Sequence, residues 1–260
     1  MKISSFNVNS IRARVDLLIN WLQHRDHDID ILCLQETKTP DSSFPTNQFE
    51  NLGFQCEIFG QKAYNGVAIL AKLPYTNVQK GFSNDILNEQ KRIMSITVSD
   101  LHIINIYAPH GDLRGATKYH YKLHWYVMLL QYLNEYYSPK DKLVVTGDFN
   151  VTRQDIDVYE PELVRDKIGT MNEERESFNK LLDWGLIDVY RKLYPNTPGF
   201  TWWDYIGGAI WKNRGMRIDY LLCTRPVLTA ITDIEVDLWP RRRRTPKPSD
   251  HTPLIAIVTN

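Results

Sequence analysis

Short apolar runs that stop on a polar residue recur along this chain, and they constrain its fold more than any other feature. Leu143 to Asp148 leads through Val144-Val145-Thr146 into Gly147-Asp148-Phe149-Asn150. Lys2 to Phe6, Ile29 to Leu34, Phe54 to Phe59, Val67 to Leu70, Ile93 to Val98, Leu101 to Tyr107 and Leu254 to Val258 have the same character, and Phe200 to Trp203, Met216 to Cys223 and Leu228 to Asp237 complete the set. Such runs, bounded by turn residues, read as buried strands. Ser99-Asp100 marks a hairpin, and Asn65-Gly66 marks a turn before Val67. Helical spacing is confined to three stretches. Ile11 to Trp21 carries Ile11, Val15, Leu18 and Leu22, residues 117–136 form a long helix with Lys118 and Lys122 expected on its exposed face, and Asn172 to about Trp184 ends at Gly185. Strands outnumber helices and short turns join many of them, which favours packed sheets with helices outside.

The 260 residues are 43% apolar, 24% charged and 12% aromatic, enough for a large core in one domain spanning 1–260. Formal net charge is zero, so any nucleic-acid binding rests on local clusters. Three cysteines without paired spacing favour a reducing compartment. No apolar run reaches membrane-spanning length and the start lacks a signal-peptide core. A cytoplasmic location is expected.

Strand after strand ends in a group able to handle a metal or a phosphate: Asn7, Glu36, Tyr107, and Asp148 with Asn150. Asp250 and His251 stand where a strand begins. Residues two apart in an extended chain point the same way, so Asp148 and Asn150 can address one spot. In antiparallel sheets the end of one strand lies beside the start of its neighbour, so these groups can meet at one rim. The plain alternatives are a turn for Asp148 and Asn150, a solvated strand end for Glu36 and a surface histidine for His251. Asp219 interrupts the apolar Ile218-Asp219-Tyr220-Leu221 run, and a buried carboxylate needs a partner. His251 is a candidate partner, because a carboxylate fixes the tautomer of a histidine and supports its charged form. Thiolate or histidine clusters for zinc are missing, while carboxylates and amides suit magnesium or manganese. Glycine-rich phosphate loops and nucleophile turns are also missing. The chemistry indicated is metal-assisted attack of water on a phosphorus ester.

Ordered segments then carry a resemblance: Phe6-Asn7-Val8-Asn9, Leu34-Gln35-Glu36-Thr37-Lys38, Gly66-Val67-Ala68-Ile69, Ile106-Tyr107-Ala108-Pro109, Gly147-Asp148-Phe149-Asn150, Asn213 through Asp219, and Ser249-Asp250-His251-Thr252-Pro253. In this order, over the full length, the chain resembles exonuclease III-type AP endonucleases of the endonuclease/exonuclease/phosphatase superfamily. Asp155 to Tyr159 and Phe200 to Tyr205 look like the bacterial branch. The resemblance implies an α+β fold, a four-layer αββα sandwich of two mainly antiparallel sheets flanked by helices. It implies a Mg²⁺-dependent (or Mn²⁺-dependent) DNA repair nuclease of base-excision repair. Such an enzyme cuts 5′ to abasic sites in duplex DNA and leaves a 3′-hydroxyl. It also implies 3′-phosphodiesterase or 3′→5′ exonuclease action on blocked 3′ ends, and a monomer.

By resemblance Glu36 is the principal metal ligand, with Asn7, Asp148, Asn150, Asp250 and His251 in the metal set. Asp148 activates water, Asn150 steadies the phosphate, Tyr107 contacts it, and His251 pairs with Asp219. Asn9, Lys118, Arg214, Arg243 and the Trp202-Trp203 pair are the expected DNA contacts. Core packing is the alternative for at least one tryptophan, and a solvated loop for the Arg241–Arg244 run. Lys212, Arg214 and Arg217 form another basic cluster. Ser10 stands where the family commonly has Gly. His110 stands where Asn or Gln is expected, and Asp112-Leu113-Arg114 departs from the family pattern. Because the superfamily also includes phosphatases of small and lipid phosphates, that activity is the alternative.

Overall fold

The computed structural model describes residues 1–26, 28–83 and 85–259, with the backbone alone at Asp85. In chain order its strands are β1 (Lys2–Asn7), β2 (Ile31–Gln35), β3 (Gln55–Phe59), β4 (Val67–Ala71), β5 (Thr76–Lys80), β6 (Ile93–Val98), β7 (Leu101–Tyr107), β8 (Leu143–Asp148), β9 (Ile187–Asp188), β10 (Asp219–Cys223), β11 (Ile231–Val236) and β12 (Leu254–Val258). They form two six-stranded sheets, ordered β11-β12-β1-β2-β4-β3 and β5-β6-β7-β8-β10-β9. The three expected helices are α1 (Ile11–His24), α2 (Thr117–Tyr136) and α3 (Asn172–Trp184).

The central strands are largely apolar because both of their faces are covered. Ile3, Ile31, Cys33, Ile103, Val144 and Leu221 fill the space between the sheets. Phe6, Leu32 and Leu34 point the other way, toward Leu18, Trp21 and Leu22 of α1. Val145, Leu143 and Leu222 do the same toward Trp125, Leu129 and Phe178 of α2 and α3. The four-layer α+β sandwich therefore follows from alternation along each strand.

Most pairings are antiparallel, but β1–β2 and β7–β8 are parallel. Parallel neighbours need a long crossover, here containing α1 and α2 respectively. These two pairs put the ends of adjacent strands side by side: Asn7 opposite Gln35, and Tyr107 opposite Asp148. The antiparallel β8–β10 pair sets Asp219 opposite Asp148. The rim thus depends on parallel as well as antiparallel neighbours. At Gly147, a Cβ would stand 1.9 Å from the Ile106 carbonyl oxygen, and φ is +141°, so only glycine fits just before Asp148.

Several expectations need correction. Phe200 to Trp203 is not a strand; Trp202 makes isolated bridges to Met216 and His251. The strand expected from Met216 begins at Asp219, and that expected from Leu228 begins at Ile231 after a helical turn, Arg225–Leu228. β5 escaped notice because Thr76–Lys80 is a largely exposed edge strand with little apolar signal. Lys122 is fully buried, not exposed. Among the described residues, no helix is long and apolar enough to cross a membrane.

Candidate active site

Both sheets deliver polar side chains to one rim. Asn7, the last residue of β1, donates from Nδ2 to Glu36 Oε1 at 2.9 Å and to Asp148 Oδ2 at 2.8 Å, bridging the two sheets. Glu36 follows β2 with φ +51°, and Asn150 follows β8 with φ +53°. Left-handed backbone is unfavourable for such residues and persists only where the surroundings hold it, commonly at functional sites. Asn150 is held by its own N–H, which donates to Asp148 Oδ1 at 2.8 Å, and by Nδ2, which donates to the Ala108 carbonyl at 2.9 Å. Asp148 and Asn150 therefore meet through a left-handed turn, not through strand alternation.

His251 is 3% exposed. Its Nδ1 lies 2.8 Å from Asp219 Oδ2 and its Nε2 3.8 Å from Asp148 Oδ2. Burial alone would lower its pKa, but Asp219, Asp148 and Asp250 together push it up to about 10. The surface-histidine alternative falls away with this burial. Burial raises the Asp148 carboxyl to about 8, with Asp219 and Glu36 adding to the rise and His251 opposing it. Glu36 moves the other way. Burial would raise it, but Lys38, Asn7 and His251 outweigh burial and leave it lowered. Burial also lifts Tyr107 well above its ordinary value, reinforced by Glu36 and Asp148. Its hydroxyl remains protonated, a donor.

Glu36, Asp148 and His251 each bring a possible ligand atom within 4.8 Å of the others. The two carboxylates fit a hard divalent cation. His251 fits less well, since the protonated ring favoured by its neighbours has no lone pair to give. Asn7 and Asp250, also in the expected ligand set, are engaged in hydrogen bonds of their own. Asn7 Oδ1 accepts the Asn9 N–H at 3.0 Å. Asp250 Oδ1 accepts from Asn9 Nδ2 at 2.9 Å, and Oδ2 from Trp202 Nε1 at 3.0 Å. Asp250 thus braces the wall of the site. Lys38 was passed over in the sequence although it stands two residues past Glu36. Its Nζ lies 2.7 Å from Glu36 Oε2 and 2.6 Å from Asn9 Oδ1.

A cavity of about 320 Å³ opens on these groups, lined by Glu36, Tyr107, Asp148, Asn150 and His251 together with Ile168, Gly169, Trp202, Met216 and Ile218. A second hollow of about 570 Å³ shares Tyr107 and His110 with it and carries Arg92, Lys118 and Tyr64. Of the expected DNA contacts, Lys118, Arg214 and Arg243 are exposed, whereas Trp203 is 1% exposed and belongs to the core with Phe200 and Ile210. Only Trp202 of the pair faces the cavity. Asn9 stands at the rim with both ends of its amide bonded. Two presumed surface cations are structural. Arg241 donates to the Trp203 carbonyl at 3.0 Å, and Arg217, fully buried, bridges Asp157 and Asp188. The apolar wall of Ile168, Met216 and Ile218 had no separable signal in the sequence, because isolated apolar residues in loops look like core.

Comparison with known proteins agrees with this geometry. The endonuclease/exonuclease/phosphatase family matches residues 4–251. A Haemophilus influenzae protein named exodeoxyribonuclease III is 34% identical over 98% of this chain and 99% of its own. The structure of an AP endonuclease from Archaeoglobus fulgidus superposes with a TM-score of 0.94 at 36% identity, covering 99% of both chains. A 3′-phosphatase from Neisseria, bound to a product DNA hairpin, superposes equally well, with a TM-score of 0.94, 36% identity and 100% of both chains covered.

Proposed function

This chain belongs to the endonuclease/exonuclease/phosphatase family as a DNA repair phosphodiester hydrolase of exodeoxyribonuclease III type, and we propose that it cuts duplex DNA 5′ to abasic sites, leaving a 3′-hydroxyl, with Mg²⁺ as its working cation. One observation carries the reading. The cavity that carries the carboxylates and donors is also lined by Trp202, Ile168, Met216 and Ile218. The apolar side chains offer nothing to a base edge, but they suit a base-less sugar turned out of the stack. Mn²⁺ would serve in place of Mg²⁺, since both take hard oxygen ligands.

Hydrolysis of a phosphodiester places an attacking water, a phosphoryl group and a leaving oxygen in line. Asp148, once ionised by a bound cation or as pH rises through about 8, would take the proton of the attacking water. Protonated His251, held by Asp219, faces the charge that builds on the phosphoryl oxygens. The second amide N–H of Asn150 and the Tyr107 hydroxyl donate to the same oxygens. A cation held by Glu36 and Asp148 supplies Lewis-acid stabilisation of developing negative charge. Lys118, Arg92, Arg214 and Arg243 meet backbone phosphates, which position a duplex without reading its sequence. Blocked 3′ ends fit the same arrangement, so 3′-phosphodiesterase and 3′→5′ exonuclease action accompany incision. The working unit is one domain, 1–260, a monomer in the cytoplasm.

A duplex with one tetrahydrofuran abasic analogue tests the proposal, incubated with Mg²⁺ and again with EDTA. A single nick 5′ to the analogue, abolished by EDTA, is expected. Failure to nick with Mg²⁺ would overturn the reading. Turnover of a small or lipid phosphate ester that duplex DNA does not inhibit would favour a phosphatase instead.

A further inference from the structure

The cation that ties the site together most extensively faces no solvent. Lys122 lies in α2 with 0% exposure. Its ammonium donates to Glu174 Oε1 at 2.5 Å, to the Asn150 carbonyl at 2.7 Å and to the His110 carbonyl at 3.1 Å. An ammonium has three protons, and here each has an acceptor. Glu174, also fully buried, stands in the first turn of α3, and its other oxygen accepts the Met171 N–H at 3.1 Å. The Gly111 backbone wraps closely round the lysine: a Cβ there would come within 2.9 Å of Lys122 Cδ.

Asn150 and His110, which line the cavity, and Met171, two residues past its Gly169, all meet at this ion pair. Asn150 sits at φ +53° and needs its carbonyl held as well as its amide. His110 borders both hollows. Met171 ends the segment that carries Ile168 and Gly169. A buried ammonium needs three acceptors, and two of those it finds here are loop carbonyls of residues that line the cavity, Asn150 and His110, rather than groups of α2 or α3.

We propose that Lys122, with Glu174, is a positioning residue for phosphodiester cleavage: it fixes the backbone of Asn150 and His110, and Glu174 fixes the facing wall. This rests on the reading of the cavity as the phosphodiester site. Neither residue touches the substrate. The effect is therefore on the precision of donors in the transition state, and so on kcat more than on KM.

The test compares kcat, KM and melting temperature on the abasic duplex for the wild type, Lys122→Met, Glu174→Gln and the double variant Lys122→Met/Glu174→Met. Misplacing site groups by about 1 Å costs on the order of 10²-fold, so Lys122→Met is expected to lose about that in kcat, with KM within about threefold. The double variant leaves no unpaired buried charge and is expected to melt near the wild type while remaining slow. Glu174→Gln, nearly isosteric, is expected to melt normally and lose kcat by roughly tenfold. A double variant with both wild-type melting and wild-type kcat overturns the proposal, as does a rise in KM with kcat unchanged. If the methionine variants do not fold, a normally melting Glu174→Gln with undiminished kcat overturns it. A wild type that fails to nick the duplex counts against the proposed function instead.

Discussion

Asp219 decides what His251 is at working pH. The carboxylate lies 2.8 Å from Nδ1 and is the leading cause that raises the ring, to about 10, against the lowering effect of burial. A raised histidine contributes stability in full below its ordinary value near 6.5 and loses it as pH climbs through about 10. In Asp219→Asn the raising charge is gone and burial acts with less opposition, so the folded pKa falls. The alkaline fall in kcat should then begin at lower pH than in the wild type, as a pH–rate profile will read. An unchanged alkaline limb would mean that the His251 cation is not needed. Asp148→Asn removes the proton acceptor and should lower single-turnover nicking by about 10²–10⁴-fold, with duplex binding kept in a fluorescence assay. Asp148 and His251 were legible in the sequence because they stand where a strand ends or begins, and Asp219 because it interrupts an apolar run. The partners of Asp250 were not. Both its oxygens are engaged by Asn9 and Trp202, residues 241 and 48 positions away, and only the folded chain brings them there.

At the scale of elements, the rim needs two sheets held in fixed relation, and polar contacts inside the fold supply part of that. Gln35 Nε2 donates to Asn105 Oδ1 at 2.7 Å across the sheets, and Asn105 Nδ2 returns to the Leu34 and Ala68 carbonyls. Arg217 anchors the segment before β10 by bridging Asp157 and Asp188, with Arg191 also on Asp157. Arg217→Met would leave buried carboxylates short of a partner, and should cost about 3–5 kcal/mol in urea unfolding. A loss below about 1 kcal/mol would show that the network is dispensable. Apolar strands and amphipathic helices were readable from spacing, because periodicity follows directly from burial. β5 and the loop from Phe200 to Met216 were not. The first is an exposed edge with few apolar residues, and the second has its apolar residues, Phe200, Trp203 and Ile210, packed without regular pairing.

The whole molecule carries no net charge, so its affinity for DNA depends on where the cations stand. Lys118 lies in the hollow beside Tyr107 and His110, while Lys122, Arg217 and Arg241 are taken up inside the fold. Duplex affinity should fall with rising salt as counterion release becomes less favourable, and Lys118→Ala should lessen the slope of log K against log salt by about one. An unchanged slope would place Lys118 away from the phosphates. The central claim is that strand ends from both sheets converge on a divalent cation beside the bond to be cut. Nicking of the abasic duplex by Glu36→Gln, titrated with Mg²⁺ beside the wild type, tests it most directly. A normally folded variant is expected, with a half-maximal Mg²⁺ concentration higher by about tenfold or more. The same midpoint and the same plateau in both proteins would contradict it.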